Sequence, residues 1–130
     1  MIKNEYAENV STEIYGSDNV HELDAESVDI YRMLFLNNEL YLTLSEFIKE
    51  SNPDAKQQLI AHNLRQVIKI AKHYCHHGLT LYDLVKEGVD GLIYAFRNFE
   101  MKGGFRFAAY ARQCIRQNIE RTLTMGIEHV

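Results

Sequence analysis

The sequence predicts an all-α fold, a compact bundle of about five or six short helices. Three observations predict it. Apolar residues recur at three- and four-residue spacing through most of the chain, the period of an amphipathic helix. Polar residues of the kind that cap helices precede several of these stretches. One proline, seven glycines and the lack of any useful apolar–polar alternation leave little material for a turn-rich β fold.

The elements follow in order. Residues 1–22 are polar and acidic without a clear period, and are expected to form a mobile tail. Asp24-Ala25-Glu26-Ser27 opens a helical segment whose apolar positions are Val28, Tyr31, Leu34 and Phe35, and Asn37-Asn38 breaks it. Thr43-Leu44-Ser45-Glu46 reads as a capping box that opens a short helix ending near Ser51. Asn52 is placed to cap, Pro53 fits a first helical position, and Asp54 complements the helix dipole. Leu59, Ile60, Leu64, Val67, Ile68 and Ala71 then form one apolar stripe, with Gly78 as the expected stop. Thr80-Leu81-Tyr82-Asp83 is a second capping box, and the helix after it carries Leu84, Val85, Leu92, Ala95, Phe96 and Phe99. Gly88 and Gly91 allow another helix to approach closely, and Gly103-Gly104 ends the element. A last helix is expected from Phe107 to Leu123, with Phe107, Ala111, Cys114, Ile115, Ile119 and Leu123 on the apolar face. The folded domain is thus expected over residues 23–124, with 125–130 as a C-terminal tail.

Length and composition narrow the function. A chain of 130 residues suits one domain. No apolar run is long enough to span a membrane, and Met1-Ile2-Lys3-Asn4-Glu5 does not begin a signal peptide. Two cysteines cannot form a disulfide framework, which fits a cytoplasmic protein. The charge is unevenly spread: residues 1–53 carry a net −8 and residues 54–130 a net +4. Six bases against two acids lie within 97–121. Such a segment is either a polyanion-binding face or a solvated helix surface. No catalytic motif is present, so an enzyme is not expected. His73, Cys75, His76 and His77 form a cluster, but the second ligand pair of a finger-like metal site is absent, so neither a metal nor another cofactor is expected.

Three blocks carry a resemblance. They are AKQQLIAHNLRQVIKIAKHY (55–74), GLTLYDLVKEGVDGLIYAFRNFE (78–100) and GFRFAAYARQCIRQNIER (104–121). In order and spacing they resemble region 2 of the bacterial RNA polymerase sigma-70 family. Residues 24–50 loosely resemble a shortened region 1.2. The resemblance implies a transcription-initiation subunit that binds a coiled coil on the largest subunits of core RNA polymerase and recognises and melts the promoter −10 element. Asp83, Lys86, Glu87 and Ile93 match the polymerase-binding positions. Phe99, Phe105, Arg106 and Tyr110 match the aromatic and basic set that receives a flipped adenine. Arg112, Arg116 and Arg121 are expected to neutralise phosphates, and Gln117 and Glu120 to face the upstream duplex edge of the element. Asn63 and Gln66 fall near the reader of a downstream flipped base, or are simply a solvated face.

The sequence departs from the pattern in several places. Gln113 and Cys114 stand where primary factors carry a tryptophan pair, which points to a divergent alternative factor closest to the sporulation type. Val89 replaces a common asparagine, Asp90 is unusual at its position, and Gly103 replaces an arginine. Ala108 and Ala109 remove the hydroxyls that would cap the last helix. The pattern stops after Thr122, so a −35 reader is expected from a second polypeptide. The alternative is a module that binds polymerase, or a sigma regulator such as an anti-sigma factor, without reading DNA. An acidic N-terminal segment folding over the basic face would restrain DNA binding.

Overall fold

The computed structural model describes residues 23–75, 78–99 and 106–128, with side chains to residue 125. Five helices and no strand occur among them: α1 (Ala25–Phe35), α2 (Asn38–Phe47), α3 (Pro53–Lys72), α4 (Leu81–Asn98) and α5 (Phe107–Glu128). The expected tail 1–22 lies outside the described residues, as do His76, His77, Gly103, Gly104 and Phe105.

Capping sets most helix starts. The Asp24 carboxylate accepts from the Ser27 amide at 2.9 Å, and the Thr80 hydroxyl from the Asp83 amide at 3.1 Å. Asn52 accepts from the amides of Asp54 and Ala55 at 2.9 and 3.1 Å, with Pro53 at the first helical position. These contacts satisfy amides that have no intrahelical partner.

Five predicted boundaries are corrected. The box at Thr43 does not start a helix: Asn37 caps α2, accepting from the Leu40 amide at 3.0 Å. Thr43 lies inside α2 with its hydroxyl donating to the Glu39 carbonyl at 2.9 Å. The helix stops at Phe47, because Ile48 takes an extended backbone and buries its side chain. Helix α3 ends at Lys72, well before Gly78, through turns at His73, Tyr74 and Cys75. Gly78 itself has φ +94°, a conformation that suits glycine. Helix α4 ends at Asn98, where Phe99 turns extended and sets its ring edge-on against Phe107 at 5.3 Å. Helix α5 runs past Leu123 to Glu128, with Thr122 and Thr124 hydroxyls donating to the carbonyls of Asn118 and Glu120.

The core lies among α3, α4 and α5. Leu64, Val67 and Ile68 of α3 meet Leu84, Val85 and Leu92 of α4 and Ile115 and Ile119 of α5, all buried. A chain of aromatic rings crosses one end. Phe47 stacks on Phe96 at 5.5 Å, Phe96 meets Phe107 at 4.4 Å, and Phe99 meets Tyr110 at 5.9 Å. Phe107 is fully buried, as expected of an apolar-face residue.

Helices α4 and α5 share the most extensive contact, and Gly91 is the reason they approach so closely. A Cβ at Gly91 would lie 2.6 Å from the Cys114 carbonyl oxygen and 2.9 Å from the Ile115 Cα. A Cβ at Gly88 would meet Val67 at 2.8 Å and Ile115 at 3.3 Å. The two glycines let α5 lie directly on the α4 backbone. Helices α1 and α2 pack on the outside of α3; α1 is tied by an ion pair between Lys72 and Asp24 and by the Arg65 guanidinium over the Tyr31 ring, and α2 by the Lys56 ammonium donating to the Ser45 carbonyl at 3.1 Å.

Candidate functional site

Two surfaces meet along the α4–α5 pair. The first is the exposed edge of α4. Asp83 and Lys86 are exposed, and Glu87 and Ile93 are half-buried. Helical spacing of three and four sets Asp83, Glu87 and Asp90 along one line. The Lys86 ammonium sits 5.4 Å from the Tyr82 ring centroid, a cation held over an aromatic face. Ile93 also packs on the core.

The sequence did not reveal that α2 borders this edge. A groove of about 350 Å³ runs between α2 and α4. Lys86, Val89, Asp90 and Ile93 line one side, and Leu34, Glu39, Leu40 and Thr43 lie opposite. Asp83 and Glu87 do not line it. Burial beside the groove pushes the Asp90 carboxyl above its usual range; Glu87 adds to the shift and Lys86 opposes it. Leu36, between the lining residues Leu34 and Asn37 in sequence, is 79% exposed.

The second surface is the polar face of α5. Arg106, Gln113, Arg116, Gln117, Glu120 and Arg121 are exposed and Arg112 is half-buried. Three- and four-residue steps from 106 through 113, 116/117 and 120/121 keep them on one side, opposite the buried Phe107, Ala111, Ile115 and Ile119. Phe99 and Tyr110 are half-buried at the end of the aromatic chain, so each shares its ring between the core and the surface. The Tyr110 hydroxyl also bonds the Cys114 thiol. Phe105 was expected beside them, but lies outside the described residues.

Glu120 has a local partner. The Tyr74 phenol, at the turn after α3, hydrogen-bonds its carboxylate. Burial raises the Tyr74 pKa first, Glu120 raises it further, and Arg116 opposes. Asn118, which sequence reasoning passed over, ties the two surfaces together. Its amide donates to the Glu87 carbonyl at 3.0 Å, and its side-chain oxygen accepts from the Arg121 guanidinium at 2.9 Å.

Asn63 stands apart from both surfaces. It is 5% exposed, and its amide donates to the Leu59 carbonyl at 2.8 Å. The solvated-face alternative is therefore corrected for Asn63, because the helix turns it inward beside Leu59, Ile60 and Leu64. Gln66 is half-buried.

Burial pushes both Cys75 and Cys114 above the ordinary thiol value, which keeps them protonated near neutrality. Among the described residues no three His, Cys, Asp or Glu side chains are grouped to hold an ion. No helix among them is long and apolar enough to cross a membrane.

The sigma-70 region 2 family model matches residues 59–124. The chain is 43% identical over 88 residues to RNA polymerase sigma factor RpoS of Coxiella burnetii, covering 68% of the chain and 25% of that relative. It is 32% identical over 140 aligned residues to RNA polymerase sigma factor SigA of Clostridium acetobutylicum, covering 92% of the chain and 36% of that relative. The chain thus spans about a quarter to a third of the length of these curated relatives.

Proposed function

The chain belongs to the sigma-70 region 2 family, and from that we propose that it acts in transcription initiation by binding core RNA polymerase and recognising the promoter −10 element. The observation that carries this reading is the arrangement of α4 and α5. An acidic edge with an apolar neighbour (Asp83, Glu87, Ile93) and an arginine-rich face with half-exposed rings (Arg112, Arg116, Arg121, Phe99, Tyr110) are held on one closely packed helix pair.

Each surface suits its proposed partner. Acids on the α4 edge complement a basic segment of the polymerase coiled coil, and Ile93 supplies an apolar centre. The α5 arginines neutralise phosphates. Rings at Phe99 and Tyr110 with Arg106 hold a base flipped out of the duplex, offsetting a cost of a few kcal/mol. The Gln117 amide pairs with a base edge. Glu120 forms the other half of that pair while Tyr74 fixes its carboxylate. No catalysis is assigned to the chain in this scheme.

A second reading has one specific observation in its favour. Gln113 has no ring and Cys114 is buried, so neither provides a stacking surface of the tryptophan-pair kind. A module that occupies the polymerase site, or an anti-sigma partner, without opening DNA would need none. A holoenzyme assay separates the two: the chain mixed with core polymerase is tested on a single-stranded −10 oligonucleotide. Binding weakened about tenfold by Tyr110→Ala supports DNA reading. Polymerase binding without any DNA binding supports the second reading.

A further inference from the structure

The outward ridge of α4 carries an ordered row of side chains. Asp83, Glu87, Asp90, Tyr94 and Arg97 follow one another at steps of four, three, four and three residues. That alternation keeps them in one straight line along the helix, the kind of seam along which a second helix packs. Glu87 is half-buried and the other four are exposed. The row is about 21 Å long at the helical rise of about 1.5 Å per residue. Lys86 lies off it, drawn over the Tyr82 ring on the side of the α2 groove. Tyr94 is 56% exposed. On its α5 side the ring borders a cavity of about 290 Å³ formed with Cys114, Gln117, Asn118 and Arg121. A large ring with a polar tip, open at the middle of a ridge, is typical of a protein interface.

The row is also sorted by charge. Its acids fill the first half, and Arg97 closes it in the last turn of the helix. A row sorted in this way is complementary to itself when reversed. An antiparallel copy with its two-fold axis at Asp90, the middle residue, sets Asp83 opposite Arg97 at both ends. It also sets Glu87 opposite Tyr94, whose phenol donates to the carboxylate. We propose that the α4 ridge is a self-association surface and that its occupant is a second copy of this chain. Asp90 meets its own copy at the axis and is the unfavourable contact of the row. One helix pair of this length belongs to the interface class below about 1,200 Å², so the dimer is transient and forms at high chain concentration. It covers Asp83 and Glu87, so the dimer and core polymerase compete wherever the docking proposal holds. Self-association itself does not depend on that proposal.

Analytical ultracentrifugation of the full chain over a range of concentrations tests this. A reversible monomer–dimer equilibrium weakened by salt is expected. Asp83→Arg and Arg97→Asp, each with its fold confirmed by a melting curve, place like charges opposite one another. Each is expected to weaken the homodimer about tenfold or more. Mixing the two variants, or combining both changes in one chain, sets opposite charges together again and is expected to restore the dimer. Asp90→Asn removes the mismatch at the axis and is expected to tighten it. A dimer that neither charge reversal weakens overturns the proposal. So do two weakened variants that fail to associate on mixing, which would remove the reciprocal contact. A chain that stays monomeric while the reversals weaken core-polymerase binding assigns the ridge to polymerase alone, and a chain monomeric at every concentration rejects the second copy outright.

Discussion

Asp90 shows how a single carboxylate reports on its surroundings. Burial beside the α2–α4 groove and the neighbouring Glu87 favour its protonated form in the fold. Its stabilising share is therefore complete below the ordinary carboxylate pKa and is lost as pH rises through the raised value. At neutral pH the charge is a cost. Asp90→Asn is expected to raise Tm there by about 1–3 °C, allowing for solvent screening. The gain should vanish in acid, which thermal melts across the two ranges would check. A gain that is the same in acid and at neutrality would remove the electrostatic explanation. Other residues show what was legible in the sequence. Phe107 was readable as core because it falls in register with Ala111, Cys114 and Ile115. Asn63 was misleading because a polar side chain on an apolar stripe looks like surface, whereas its amide is satisfied inside by the Leu59 carbonyl. Tyr94 follows Asp90 by four residues and Glu87 by seven, so helical spacing alone could have placed it at the exposed edge. Its cavity, formed with α5, could not be seen from spacing.

Between elements, start signals were more legible than stops. Asp24, Asn52 and Thr80 all cap as their positions imply. Thr43 misled because a box motif also occurs within helices, where the hydroxyl bonds back to a carbonyl, and Asn37 had already capped the element. Asn52→Ala is expected to lower unfolding free energy by about 1 kcal/mol, measured by urea titration, since two amides lose their acceptor. Stops depend on tertiary packing. Phe99 leaves the helix to meet Phe107, a contact between residues eight apart that periodicity does not encode. The α4–α5 seam is the most sensitive element pair. Gly91→Ala places a methyl group against the Cys114 and Ile115 backbone, which cannot move aside as a side chain would. It should destabilise by about 3 kcal/mol, more than Gly88→Ala, whose new contacts are side-chain carbons. Equal losses from the two variants would contradict this account of the seam.

For the whole molecule, the all-α class and the helix order were legible because the hydrophobic period persists from residue 28 to 123. The groove was not, since it depends on how α2 lies against α4. Charge is also a whole-molecule property: the first 53 residues carry net −8 and the remainder net +4. If the acidic segment 1–22 competes for the α5 face, its deletion should tighten DNA binding at low salt and do less at high salt. Fluorescence anisotropy of a −10 oligonucleotide would measure this, and unchanged affinity would reject the competition. The central claim is that α4 presents a polymerase-docking edge beside a DNA-reading face on α5. Its most direct test is binding of the chain to purified core RNA polymerase, alongside an Asp83→Ala/Glu87→Ala variant whose fold is confirmed by its melting curve. The account predicts binding by the original chain and a loss of about tenfold or more in the variant. Equal binding by both would remove the docking role from this edge, and no binding by either would contradict the claim outright.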